Sequence, residues 1–544
     1  MLEERLWLIA LGPLALAAVG LVPTATANMR ARPLSRFAFA MSLVALGVAV
    51  AAAGALSVLG PMRSGILGLP AVGFGLYLDS LTAILFVLVA FVGAAVIRYS
   101  IHYLGGDPEH GRFTQWLCLT LAAVLLVIIS GHLFQFALVW IATSVGLNRL
   151  LLFYPERPAA VLAARKKFVA SRIGDLCLFG AMELLYERVG SLDYVAIFAH
   201  AQALKLESAT PAAVHAIAAL LVVAALLKSA QFPLHGWLTE VMETPTPVSA
   251  LLHAGIINAG GFLVLRFADV INLSTPSLDT LALVGGVTAL FGSVVMLTQT
   301  SVKVSLAYST IAQMGFMMLE CGLGAFSAAA LHIAAHSLYK AHAFLSSGSV
   351  VDLARASWSP SPSGQLHPAR MAIAIAGVVG VAIGVGGAFG ASIAEKPGVF
   401  ALGAIVLIGL AHLLANAIDE RPNVYILART LVSALLVAGA YFAVQIGAER
   451  LLAGSLPPDE RLRGPLDLAI IIAVVFFFGL VTVLQNLVPR YAQEPRWQAL
   501  YVHIANGLYA NAFANRLALK FWPGPPPRST ERRHAVAAGS REFS

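Results

Sequence analysis

Residues Ala224–Arg266 read AALLKSAQFPLHGWLTEVMETPTPVSALLHAGIINAGGFLVLR, and this stretch decides the fold. Lys228, Glu240, Glu243 and His253 sit within or at the ends of apolar runs, where a charge is costly unless paired or hydrated. Pro233, Pro245 and Pro247 each remove a backbone donor, so the stretch predicts a membrane helix broken after Lys228 and a second helix starting near Val248. A broken helix at membrane depth survives only where it is buried in protein or lines a wet cavity. The segment therefore implies an ion site of the kind found in transporters. Lys228 is expected to have its cation met by carbonyls, water or a carboxylate; the alternative is that it snorkels from the helix end to the interface.

Composition agrees. Of 544 residues, 59% are hydrophobic and only 11% charged, about half the charged fraction of a soluble domain. The net charge of +8 comes from basic residues in short loops between apolar runs, so a bilayer accounts for it and nucleic acid does not. Cys118, Cys177 and Cys321 lie far apart in apolar segments, which offers no disulfide framework, iron–sulfur site or zinc ribbon. The first apolar run lacks a small-residue cleavage site and reads as a transmembrane helix rather than a removed signal.

Spans of about 20 apolar residues occur at 6–25, 37–60, 78–99, 115–131, 133–153, 168–186, 212–230, 247–268, 279–299, 302–320, 326–350, 371–392, 398–417, 424–446 and 467–489. The fold class is all-α and polytopic, with about 14–15 transmembrane helices, at least one of them broken. Arg30, Arg32 and Arg36 after the first span, Arg98 and Arg112 around the third, and Arg157, Arg165, Lys166 and Lys167 after the fifth place alternate loops in the cytoplasm, with the N-terminus outside. The chain divides into N-terminal helices (1–76), a charge-bearing core (77–351), a polar linker (352–370), C-terminal helices (371–490) and an amphipathic helix with a basic tail (491–544). The stretch from Trp497 to Trp522 is expected to lie along the membrane surface or against a partner. GVVGVAIGVGGAFG at Gly377–Gly390 reads either as a second broken helix or as close helix packing through small residues.

No phosphate-binding loop, dinucleotide fingerprint, HExxH or GxSxG is present, and no catalytic residue is expected. Instead Asp79, Arg172, Asp175, Lys228, Glu240, His253, Lys303, Glu320, His332, His336 and Lys340 lie within apolar helices, a pattern that marks ion or proton pathways. His332, His336 and Lys340 recur every fourth residue and share one helix face. Two histidines at that spacing can hold a metal, but a lysine below them repels a cation, so a proton relay is the better reading. Arg172 and Asp175, three apart, are expected to form an ion pair that is either structural or functional. The proton affinity of a buried amine such as Lys228 can be switched by moving a partner carboxylate.

KSAQFPLHGWLTEVMETPTPVSALLHAG, VKVSLAYSTIAQMGFM and HIAAHSLYKAHAFLSSGSV resemble the antiporter-like subunits of respiratory complex I and of Mrp-type cation/proton antiporters, over roughly Tyr77–Val351. The resemblance implies their antiporter-like, inverted-repeat fold. It also implies a hydrated charge row of Lys228, His253, Lys303, His332, His336 and Lys340, with Arg172 and Asp175 in the matching SRIGD segment. The glutamate that follows the fifth-helix tryptophan in those pumps is absent; here ALVWIATSVGLNRLLLF places Ile141 after Trp140, and Glu240, Glu243, Asp175 and Glu320 are the candidate replacements. The lysine-bearing broken helix of the C-terminal third is also not apparent.

Within this family, GWLTEVMETPTPVSALLHAGIINAGGFLVLRF and HSLYKAHAFLSSGSVV look most like the membrane subunits of Dab inorganic-carbon accumulation complexes. That likeness implies a multi-pass protein of the bacterial inner membrane, which passes protons or sodium ions and couples their gradient to CO2 hydration. The chemistry is expected in a soluble cytoplasmic DabA-like partner resembling β-carbonic anhydrases. Zinc is expected in that partner, with no metal or cofactor in this chain. A proton pump or Na+/H+ antiporter subunit of a complex I-like or Mrp-like assembly is the alternative.

Overall fold

Each of the fifteen apolar segments has a helical counterpart in the computed structural model, which describes residues 2–207, 210–348, 368–392, 395–409, 411, 424–459, 463–487, 491 and 493–522. A 3-10 turn at Leu6–Ala10 leads into α1 (Leu11–Gly20), followed by α2 (Ala31–Leu59), α3 (Ser80–Tyr103), α4 (His110–Ile129), α5 (Leu133–Leu151) and α6 (Pro158–Val189). The broken stretch supplies α7 (Ala212–Lys228), α8 (Thr246–Ala254) and α9 (Ala259–Arg266), and the core continues through α10 (Thr275–Met296), α11 (Val302–Gly322) and α12 (Phe326–Leu345). The C-terminal third comprises α13 (Pro368–Ala388), α14 (Pro397–Ile408), α15 (Val424–Leu452), α16 (Pro465–Leu487), α17 (Pro495–Ala505) and α18 (Ala510–Phe521). Among the described residues, nine helical stretches are long and apolar enough to cross a membrane. The protein is a multi-pass membrane protein.

The expected break is present and a second one accompanies it. After Lys228 the chain leaves the helix, turns through Ala230 in the left-handed region (φ +49°), and re-enters a short helix at Gly236–Glu240. A further interruption at Gly255 separates α8 from α9; Asn258 there donates to the Ala254 carbonyl and to Ser337. Proline punctuation marks the first break, whereas the second carries none and is marked only by a glycine and an asparagine.

Burial places the core. In the apolar windows of Thr246–Arg266 and Ser80–Tyr103, 94% and 72% of residues are buried, against 22% in those of Ala31–Leu59 and Leu431–Leu452. The broken helix is thus wrapped by its neighbours, while α2 and α15 turn leucines and valines such as Leu43, Val50 and Leu436 outward, as a lipid-facing surface requires. Along α10 and α11 the backbones touch. A Cβ on Gly315 would stand 2.4 Å from the Ala289 nitrogen, and one on Gly285 2.4 Å from the Leu319 nitrogen. Small residues there let two membrane helices approach closely.

The all-α fold class stands, with two short antiparallel pairs added to it, Met62–Arg63 with Tyr77–Leu78 and Leu67–Gly68 with Gly73–Phe74. Two expectations change. The linker at 352–370 falls mostly outside the described residues, and Pro368–Arg370 already belong to α13, because proline suits the first turn of a helix. The glycine-rich Gly377–Gly390 is not broken, since α13 runs on to Ala388, and its close packing is confined to Gly386, where a Cβ would stand 3.0 Å from the Phe442 ring, while Gly380, Gly384 and Gly387 face open space. The basic tail beyond Trp522 lies outside the described residues.

Candidate functional site

Lys228 ends α7 facing inward, 6% exposed, which excludes snorkelling. Its Nζ donates to Ser144 Oγ (2.8 Å), Thr143 Oγ1 (3.2 Å) and the Trp140 carbonyl (3.3 Å), and it stands 4.1 Å from the Trp140 ring centre. Two hydroxyls, a carbonyl and an aromatic face therefore occupy the place expected for a carboxylate. Gly260 makes this possible from behind, since a Cβ there would meet Ser229 Oγ at 2.3 Å and the Ala225 carbonyl at 2.4 Å. Of the four candidate carboxylates, Asp175 is the one tied to this end. It accepts from Trp140 Nε1 (3.1 Å) and pairs with Arg172 (2.7 Å), as the i, i+3 spacing predicted.

A second lysine reaches the same place. Lys167, on α6, is 4% exposed and its Nζ donates to the Ser144 carbonyl at 2.9 Å. The run Arg165–Lys166–Lys167 reads as loop chemistry, but α6 begins at Pro158 and carries these residues two turns into the helix.

The middle of the row is assembled from three helices. His253 on α8 bonds Thr310 on α11 through Nδ1 (2.9 Å) and stacks on Phe344 of α12 at 4.4 Å. His336 Nε2 meets the His253 carbonyl at 3.2 Å, and Lys340 donates to the Leu306 carbonyl at 3.0 Å. His253 Nε2 and His336 Nδ1, both buried, have no hydrogen-bond partner among the described residues. Lys303 sits apart at the rim, donating to Thr246 (3.1 Å). Between the Lys228 end and this cluster lies a cavity of about 30 Å³, lined by Thr143, Asn258 and Ser337 among apolar side chains and roomy enough for one or two waters.

His332 is the far end. It faces Glu320 (2.8 Å) through Nδ1 and Gln313 (2.7 Å) through Nε2, and its ring centre lies 6.3 Å from that of His336. A cavity of about 560 Å³ opens here, lined by Glu320, His332, His336, Tyr441 and Gln445. Gln445 donates to Ser327 (3.0 Å), which donates to Asp459 (3.1 Å); Ser327 and Asp459 line a separate pocket of about 280 Å³, in which Lys396 pairs with Glu449. Burial first, and then the hydrogen-bonded Glu449 carboxyl, push Asp459 up to about 7. The C-terminal third thus contributes Lys396, Gln445, Glu449 and Asp459, none of which the charge pattern around the break marks.

Glu240 does not join the row. It pairs with Lys166 (2.7 Å) and accepts from Asn511 (2.9 Å) and Asn515 (2.7 Å), fastening α18 to α6. The amphipathic stretch therefore docks on this chain, helped by Arg165 donating to the Trp522 carbonyl (2.7 Å). Asp79 is likewise structural, held by Arg266 (2.7 Å) with both side chains 1% exposed. Among the described residues no three His, Cys, Asp or Glu side chains converge as a metal site.

Residues 130–376 match the family model described as NADH:quinone oxidoreductase/Mrp antiporter, TM, and residues 68–114 match that of the complex I chain 5 N-terminus. A probable inorganic carbon transporter subunit, DabB2, of Halothiobacillus neapolitanus is 40% identical over 86% of this chain and 84% of its own length. The chain belongs to the DabB family. A second DabB family member, from Hydrogenovibrio crunogenus, is 37% identical over 80% of this chain and 81% of its own. Subunit L of the NADH-quinone oxidoreductase of Mycobacterium tuberculosis is 37% identical, but over 52% of this chain and 44% of its own. Among solved structures, the Mrp complex of a Dietzia species superposes with a TM-score of 0.58 at 22% identity, covering 98% of this chain. The chain spans 63% of that Mrp chain, a likeness of fold. An archaeal membrane-bound sulfane sulfur reductase gives 0.56 at 19% identity, over 94% of this chain and 99% of its own.

Proposed function

We propose that the chain conducts protons across the bacterial inner membrane and couples their gradient to inorganic carbon uptake, with CO2 hydration performed by a soluble, zinc-bearing DabA-like partner. The observation that carries the reading is the run of buried bases joining α7, α8 and α12. Lys228 and Lys340 rest on neutral oxygens and have no carboxylate in ion-pair contact among the described residues, while His253 and His336 each keep a ring nitrogen free. Buried amines and imidazoles held this way can gain and release a proton without breaking an ion pair. The names borne by the DabB relatives supply the cargo, inorganic carbon, and the antiporter-like family supplies the cation. Lys228, His253, His332, His336 and Lys340 are assigned to the pathway, Lys303 to its rim, Arg172 and Asp175 to its counter-charge; Glu240 holds α18 in place. A proton-pumping or Na+/H+ antiporter subunit is the second reading, favoured by the match of residues 130–376 to the shared antiporter model.

The test is bicarbonate accumulation in vesicles carrying this chain and its co-purified soluble subunit under an imposed proton gradient. Uncoupler abolishes accumulation, and Lys228→Ala lowers it by about 100-fold, the usual range for loss of a proton-transfer group. Accumulation that persists under either condition refutes the coupling. Co-purification with hydrophilic redox subunits in place of a zinc protein decides for the second reading.

A further inference from the structure

Lys167 and Lys228 come from different helices, are each almost wholly buried, and end on the same residue: Lys167 on the Ser144 carbonyl at 2.9 Å, Lys228 on the Ser144 hydroxyl at 2.8 Å. Resting on the proton pathway proposed above, we infer that Lys167 is a second proton-carrying lysine that shares one proton with Lys228 across Ser144, in the position where a carboxylate partner is absent.

The charges facing the pair are few. From α6 come Arg172 and Asp175, which are paired with each other at 2.7 Å; from α5 come only the neutral Trp140, Thr143 and Ser144; and from α7 comes Lys228 itself. With Asp175 neutralised by Arg172, no carboxylate among the described residues pairs with either lysine to balance two ammonium ions, so the pair holds a single positive charge. A proton lost from Lys167 Nζ is taken up by the lone pair of Lys228 Nζ, and the charge of the pair is unchanged by the transfer. A carboxylate beside Lys228 releases that amine's proton by withdrawing; a second amine releases it by accepting the proton itself.

Position gives Lys167 a direction. Its neighbour Lys166 is bound to Glu240, Asn511 and Asn515 where α18 crosses the end of α6. Consecutive residues on one helix therefore span from that polar cluster to the Lys228 end. No other described basic side chain donates to Ser144.

Arginine separates the proposal from a structural role, because its guanidinium keeps the charge and can still donate to the Ser144 carbonyl but does not give up its proton. In vesicles holding the chain with its co-purified soluble subunit, Lys167→Arg and Lys167→Met are both expected to cut gradient-driven proton flux by at least about tenfold and to displace the midpoint of its pH profile. Size-exclusion profiles in detergent and retention of the soluble subunit report whether each variant is folded. Flux near wild type in folded Lys167→Arg, with loss only in Lys167→Met, overturns the inference in favour of a packing or charge role. Flux near wild type in both also overturns it, and if Lys228→Ala is then still inactive the pathway reading stands without Lys167. Should either variant fail to fold, Ser144→Ala leaves both lysines in place: the shared-proton geometry requires an altered pH midpoint there, and an unaltered one rejects it.

Discussion

At one end of the buried row, Lys228 and Lys167 are held by a serine, a threonine and carbonyl oxygens; at the other, His332 is held between Glu320 and Gln313 beside a cavity of about 560 Å³. The first end is basic, closely packed and neighboured by a space of only about 30 Å³. The second is acid-and-base, roomy, and continued through Gln445 and Ser327 to Asp459. The difference teaches that a buried base can be kept exchangeable in two ways. A carboxylate beside a histidine stabilises its cation and makes the site a resting place for charge. Neutral oxygens around an amine stabilise either form weakly and make the site a transit point.

The comparison can be broken at its junction. His336 touches both sides, through the His253 carbonyl and through the shared cavity with His332. His336→Ala is expected to lower gradient-driven proton flux by about 100-fold in vesicles, as loss of a proton-transfer imidazole does. A residual flux close to wild type means that the two ends are not in series.

A smaller effect is expected at the acidic end alone. Glu320→Gln keeps the shape and a hydrogen bond to His332 Nδ1 but removes the charge, and His332 retains Gln313. Exchanging a charged for a neutral hydrogen bond costs about 1–1.5 kcal/mol, so flux should fall by about tenfold. An unaltered flux rejects the resting-place reading of Glu320.

The smallest effect concerns stability. Asp459, half-buried beside Glu449, is pushed up to about 7, above its usual carboxylate range. The folded state then binds more protons than the unfolded state between the ordinary Asp range and about pH 7, so folding stability declines as pH rises through that window. In detergent the melting temperature should drop by a few degrees between pH 5 and pH 8, and Asp459→Asn should reduce that drop by about half. A variant with the wild-type slope assigns the pH dependence elsewhere.

Much of this was legible in the sequence. Proline marks the break after Lys228 because a missing backbone donor acts locally, and a four-residue spacing puts His332, His336 and Lys340 on one face of α12 by helix geometry alone. Arg172 with Asp175 is a local pair and was equally visible. What was hidden depends on long-range packing. Lys167 looks like a loop cation because basic residues gather at membrane edges, and only the helix beginning at Pro158 turns it inward. Arg266 finds Asp79 across 187 residues of chain, and Lys396, Glu449 and Asp459 meet only because α14, α15 and the loop after it converge on Ser327. Glu240 was misplaced for a related reason: its charge is satisfied by Lys166 and by two asparagines of α18, none of which a local pattern connects to it.

Lys166 and Lys167 are adjacent on α6, so their side chains leave the helix axis about 100° apart. One is fastened to α18 and the other to the wall of Lys228. Twist about the axis of α6 cannot move one tip and spare the other: turning by 20° sweeps an ammonium group about 8 Å from the axis through about 3 Å, the reach of one hydrogen bond. Torque at the edge of the molecule and bonding at its centre are thereby set by a single angle.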